Sequence, residues 1–146
     1  MKLLPQSRIT VNLVFLFGFL FYGCATQLVA TYDENILNDV YDIAKEVDLF
    51  FRILLDTPEE ERNYDKFKED YLRIETDFKF LLLRNQMREY NDETIEQIEK
   101  TMKLWTEDRE NHKSDNTFID LIAESRQEQY YETFMAIAKG EKAKDI

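Results

Sequence analysis

Residues 33–55 read DENILNDVYDIAKEVDLFFRILL, and the spacing of their apolar side chains decides the fold. Leu37, Val40, Ala44, Val47, Phe51 and Leu54 advance by alternating steps of three and four, with Ile36, Ile43 and Phe50 widening the stripe. That period is the signature of an amphipathic α-helix burying one face, whereas a half-buried strand would alternate every second residue. A first helix is therefore predicted over 33–55.

Working outward, Asp56-Thr57-Pro58-Glu59-Glu60 resets the chain. Thr57 suits a helix cap, Pro58 the first helical position and Glu60 the far side of a capping box. A second helix is predicted over 58–90, with a bend near Asn63. Its seam is Tyr64, Phe67, Tyr71, Ile74, Phe78 and Leu81, continued by Leu82 and Met87. Asn91, followed by two acids, reads as the cap of a third helix over 92–109, with Ile95, Ile98, Met102 and Trp105 on one face. Residues 110–116 contain no apolar side chain and several turn formers, which predicts an exposed loop. A fourth helix is expected over 117–139, stopped by Gly140. Short connections favour antiparallel neighbours, so the fold class is all-α, an up-down-up-down four-helix bundle over 33–139 with a polar tail, 140–146. In that arrangement the chain entry, the Asn91 turn and the tail share one end of the bundle.

The segment before the bundle carries a different signal. Lys2 and Arg8 precede an apolar run, 11–22, and the chain's one cysteine, Cys24, follows Gly23. Roughly 20 apolar residues are needed to span a bilayer, and this run is shorter and interrupted by Gly18. Basic residues, a short apolar core and a small residue before a cysteine predict a lipoprotein signal peptide over 1–23, with acylation at Cys24 and a lipidated tether over 24–32. A lone cysteine in an exported chain has no internal disulfide partner, and thioether lipidation accounts for it. The competing readings are a secreted protein cut after Ala25 or Ala30 and an uncleaved anchor. Acylation places the protein in the cell envelope, held to the bilayer through Cys24. With Ala25 after the cysteine, a Gram-negative host would carry it on the outer membrane, facing the periplasm.

The chain has 30 acidic against 19 basic residues, and removal of Lys2 and Arg8 makes it more acidic still. Nucleic acid is excluded as a partner on that ground, since affinity for phosphate backbones comes from Lys and Arg releasing counterions. No enzyme chemistry is predicted, and no cofactor or metal. Diiron bundles need two Glu-x-x-His motifs, whereas the single histidine, His112, falls in the expected loop and reads as solvated. There is no haem-attachment motif and no Gly-rich phosphate loop, and Ser114 and Ser125 lack a positioned base. The carboxylate pairs Glu59-Glu60 and Glu107-Asp108 are most simply a helix start and a solvated helix end.

Two features call for more than a solvated surface. In the fourth helix, 124–129 reads ESRQEQ, so a core-facing phase must carry Ser125, Arg126 or Gln127 inward. The expected outcome is a buried polar contact, Arg126 with Glu75 or Asp48, with a polar groove lining as the alternative. Neighbouring aromatics are also crowded: Phe50-Phe51, Phe78-Lys79-Phe80 and Tyr130-Tyr131 point about 100° or 200° apart on a helix. Some of Phe80, Tyr131, Tyr90 and Tyr41 are therefore expected to be partly exposed, as partner-binding candidates.

Thr31-Tyr32-Asp33-Glu34, Phe50, Tyr64, Phe67 and the closing run Phe134-Met135-Ala136-Ile137-Ala138-Lys139 resemble small all-helical bacterial envelope lipoproteins of uncharacterised function, over residues 24–140. By architecture alone the chain is similar to helical pilotins, which escort secretin subunits, although it lacks the cysteine pair some of them carry. The resemblance implies a helical fold and transfers no functional residue. The leading expectation is a non-enzymatic envelope lipoprotein whose bundle binds another envelope or exported protein. The alternatives are a periplasmic small-ligand or lipid binder and a structural spacer.

Overall fold

The first helix, α1 (Glu34–Asp56), lies within one residue of its predicted span. Asp33 caps it, its carboxylate accepting from the Asn35 and Ile36 N–H groups at 2.9 and 3.4 Å, which satisfies donors that an uncapped helix start would leave orphaned. Ile36, Leu37, Val40, Ile43, Val47, Phe50, Phe51 and Leu54 are buried. The computed structural model describes residues 28–145; the predicted signal peptide, Cys24 and most of the tether lie outside the described residues.

The connection after α1 differs from the predicted capping box. The Thr57 hydroxyl donates back to the Ile53 carbonyl at 2.8 Å, and Glu59–Glu61 form one 3-10 turn. The second helix, α2 (Tyr64–Gln86), starts only after Asn63, whose side chain accepts from the Lys66 N–H. The expected bend is a break. Its cause is Arg62, which folds back onto the end of α1 and donates to the Thr57 and Leu55 carbonyls at 2.6 and 3.2 Å. These are the carbonyls a helix end leaves without donors.

At the other end α2 stops before Tyr90, which adopts a left-handed conformation (φ 58°). Asn91 starts α3 (Asp92–Asp115) but its side chain does not cap. It donates instead to the Asn85 carbonyl and Oδ1 at 3.1 and 2.8 Å. The third helix runs straight through the predicted 110–116 loop and ends at Asn116, left-handed at φ 53°, whose N–H donates to the His112 carbonyl. Its buried seam is Thr94, Ile98, Thr101, Trp105, Asp108 and His112, in steps of four and three. Polar residues continue the seam where the apolar ones stop.

The fourth helix, α4 (Asp120–Lys142), begins three residues later than predicted and passes Gly140. The Asp120 N–H donates to the Glu59 carboxylate at 2.8 Å, so an acid expected to open α2 caps α4. Glu141, placed by sequence in a polar tail, is fully buried. Its contacts with the Asp33 N–H and Arg88 hold the last turn of α4 in the bundle.

The described residues form an all-α four-helix bundle without strands. α1 packs most extensively on α4 and α2 on α3, with α1–α2 and α3–α4 closing the ring. Phe50 sits at the centre, edge-on to Phe51, Phe67 and Trp105 at centroid separations of 5.2, 5.7 and 5.0 Å. Such pairs add about 0.5–1.5 kcal/mol each beyond the area they bury. Among the described residues, no helix is long and apolar enough to cross a membrane.

Candidate functional site

Between α1 and α4 the helices part into a groove of about 170 Å³ lined by Tyr41, Ala44, Val47, Asp48, Gln127, Tyr130, Tyr131, Phe134 and Met135. The small side chain of Ala44 leaves the space. Val47, Tyr130 and Phe134 are buried, while Tyr41 and Tyr131 are 55% and 61% exposed. One flank is polar: Gln127 Nε2 donates to Asp48 Oδ1 at 2.8 Å, part-buried between the helices. Three of the residues singled out by sequence, Tyr41 on α1 and Gln127 and Tyr131 on α4, thus meet at one place although 86 residues separate Tyr41 from Gln127.

The other candidates lie elsewhere. Phe80, 60% exposed, borders a polar cleft between α1 and α2 with Asp39, Asp42, Lys45 and Arg84. Tyr90 shares a hollow with Leu28, Val29 and Lys144 at the chain entry. Ser125 faces solvent.

Arg126 does turn inward, but to neither expected partner. Its Nε donates to Asp108 Oδ1 at 2.8 Å, and the Tyr130 hydroxyl donates to Asp108 Oδ2 at 2.9 Å. Glu75 pairs with Arg109 and Asp48 with Arg52. Asp108, expected in solvent, is buried on the α3 seam. Burial raises its pKa above the usual carboxylate value, against the opposing pull of the Tyr130 and Arg126 hydrogen bonds.

His112 is corrected in the same way. It is buried in α3, not solvated in a loop, with Nε2 2.8 Å from the Arg62 carbonyl and Nδ1 3.1 Å from the Tyr71 hydroxyl. Nε2–H donating to the carbonyl leaves Nδ1 to accept from Tyr71, a neutral tautomer with both nitrogens used. Burial lowers its pKa, which keeps it neutral. A cleft of about 340 Å³ beside it is lined by Asp108, Asn111, Asp115, Phe118 and Ile122 among others. Each ring nitrogen of His112 and each carboxylate oxygen of Asp108 has a hydrogen-bond partner within the fold. Among the described residues, no three His, Cys, Asp or Glu side chains converge as a metal site.

No family model, curated protein or solved structure matches the chain.

The burial of Arg62, Asp108, His112 and Glu141 is not what their polarity predicts. A signal for three of them is present. Continuing the four-three steps from Ile98 through Thr101 and Trp105 lands on Asp108 and His112. Phe134, Ile137 and Glu141 follow the same rhythm in α4.

Proposed function

We propose that this chain is an exported, non-enzymatic lipoprotein, acylated at Cys24, whose bundle binds another envelope or exported protein through the groove between α1 and α4. The observation that carries the reading is the pair Tyr41 and Tyr131, exposed on either side of an apolar floor. Large aromatics set around an apolar hollow are the usual anchors of protein interfaces. Size favours a protein over a small ligand: about 170 Å³ falls below the roughly 300–1,000 Å³ of small-molecule sites. It suits an apolar side chain inserted by a partner.

The helix connectivity is read as up-down-up-down. Contacts of Asp33 with Glu141 and of Ala30 with Tyr90 at one end, and of Arg62 with Phe118 and His112 at the other, support it. The groove then runs along the bundle side, clear of both ends.

The test is photo-crosslinking in cells from a probe replacing Tyr131, beside the same probe replacing Glu99 on the exposed face of α3. A protein captured from Tyr131 alone, and lost on Tyr41→Ala while the far-ultraviolet spectrum is unchanged, supports the reading. Equal capture from both positions, or none, overturns it.

A further inference from the structure

α2 has a second apolar face that no other helix of the bundle covers. Its inner seam, Phe67, Tyr71, Ile74, Phe78 and Leu81, is buried. Its outer side carries Leu72, Phe80, Leu83 and Met87, exposed by 52, 60, 52 and 79%. At 100° per residue these four fall within about 80° of arc, with Thr76 between Leu72 and the cluster of Phe80, Leu83 and Met87. The stripe runs toward the end of α2 where the chain enters the bundle. There the Ala30 N–H donates to the Tyr90 carbonyl at 3.0 Å, and Leu28, Val29 and Tyr90 share one hollow. Leu28 is 82% exposed. The apolar surface of α2 therefore leads to the corner from which residues 24–27 depart.

We infer that this face rests on the bilayer: the outer side of α2 from Phe80 to Met87, with Leu28 and Tyr90, contacts the lipid interface and lays the bundle on its side. The inference rests on the lipoprotein reading of Cys24.

Three observations choose the membrane over other occupants. Leu28 follows Cys24 by four residues, which fully extended span at most about 14 Å, so acyl chains on Cys24 hold this corner against the bilayer. No charged residue occurs between Cys24 and Asp33, so nothing in the tether opposes entry into the headgroup layer. Between Phe78 and Asn91 the only acid is Glu89, and Lys79, Arg84 and Arg88 pair with Glu75, Asp39 and Glu141, so the stretch is close to neutral. The net charge of the whole chain is −11, and this is the stretch that does not bring that repulsion to anionic headgroups. An exposed apolar stripe with a tyrosine at its edge and little net charge is what an interfacial helix presents to lipid. α4 lies across the ring from α2, so the groove between α1 and α4 is left open to a partner.

The experiment uses the chain purified from membranes. Thioether acylation leaves no free thiol, since Cys24 is the only cysteine, so a single introduced cysteine takes one environment-sensitive dye. Met87→Cys, Leu83→Cys and Phe80→Cys are compared with Leu121→Cys, at the start of α4, in phosphatidylethanolamine–phosphatidylglycerol vesicles containing bromolipid. Dye at 87 and 83 is expected to shift to the blue and be quenched several-fold more than dye at 121, with 80 intermediate. An acylated protein whose dye at 87 is as wet as at 121 overturns the inference and leaves the lipoprotein reading standing. Dye at 87 shielded equally in detergent, with doubled mass, overturns it in favour of a second copy on this face. An unmodified intact mass, with Cys24 taking a second dye, overturns both readings together.

Discussion

The two ends of the bundle are closed by buried charges of opposite sign. At the end remote from the chain entry, Arg62 donates to the carbonyls of Leu55, Thr57 and Phe118 and pairs with the exposed Asp120. At the entry end, Glu141 accepts from the Asp33 N–H at 2.9 Å, from Arg88 at 2.8 and 3.1 Å and from Lys144 at 2.7 Å. The cation is held mainly by neutral backbone carbonyls, whereas the anion is held by two cations and a backbone donor. Burial alone would raise the Glu141 pKa, but Arg88, Lys144 and the Asp33 N–H outweigh it and the net shift is downward. One end is tied to backbone geometry, the other to ionisation.

The sharpest way to break this contrast is to remove the cation. Arg62→Ala leaves three carbonyls without their donor and frees the start of α2, and is expected to cost about 3–5 kcal/mol in urea denaturation. Arg62→Lys should recover only a small part, because an ammonium cannot reach three separated carbonyls as a planar fork does. Glu141→Ala is expected to cost less, about 2–3 kcal/mol, since Lys144 keeps its hydrogen bonds to Asn91 and Thr94 and Arg88 keeps some access to water. Its loss should concentrate in faster hydrogen exchange at the last turn of α4 and at Asp33.

A pH titration sharpens the comparison further. The pKa of His112 is lowered in the fold by burial, so the unfolded chain binds more protons, and its contribution is complete above 6.5 and declines as the pH falls below that value toward the lowered folded one. Glu141, also lowered, contributes fully above 4.5 and loses its contribution as the pH falls through its folded value. Asp108 acts in the opposite sense: raised by burial, it penalises the fold at neutral pH and the penalty is relieved on acidification. Amides near His112 are therefore expected to lose protection from pH 6.5 downward, and those near Glu141 only below 4.5. In His112→Gln the first phase should vanish and the second remain; two phases in the variant would refute the assignment. The smallest effect is expected at Gly140, helical and with nothing within 4 Å of an added Cβ. Gly140→Ala should stabilise by about 0.5–1 kcal/mol, raising the thermal midpoint and exchange protection at the entry end only.

These ends are also where the sequence reading and the structure part. In α1, apolar residues occupy every seam position, and 33–55 was legible to within a residue. The 110–116 segment was not, because His112 is a polar residue on a seam whose partners, Tyr71 and Arg62, lie 41 and 50 residues away. Arg126 was legible as an inward-turning residue, while its partner was not. Asp108 reaches Arg126 only because α3 packs on α4. Exposure of Phe80 and Tyr131 agrees with the angles between neighbouring aromatics, whereas Phe50 and Phe51, adjacent in α1, are both buried. That Tyr41 and Tyr131 share a groove, and Phe80 and Tyr90 do not, depended on which helices became neighbours.

By itself, the sequence determined that the chain forms four helices and which face of α1 and α2 is buried, because apolar periodicity is local and each turn adds to the same stripe. Only the tertiary structure decided which charges lie inside, where α2, α3 and α4 end, and which surface aromatics meet. A buried polar group survives only when donors and acceptors from distant segments satisfy it, and that condition is a property of packed helices taken together.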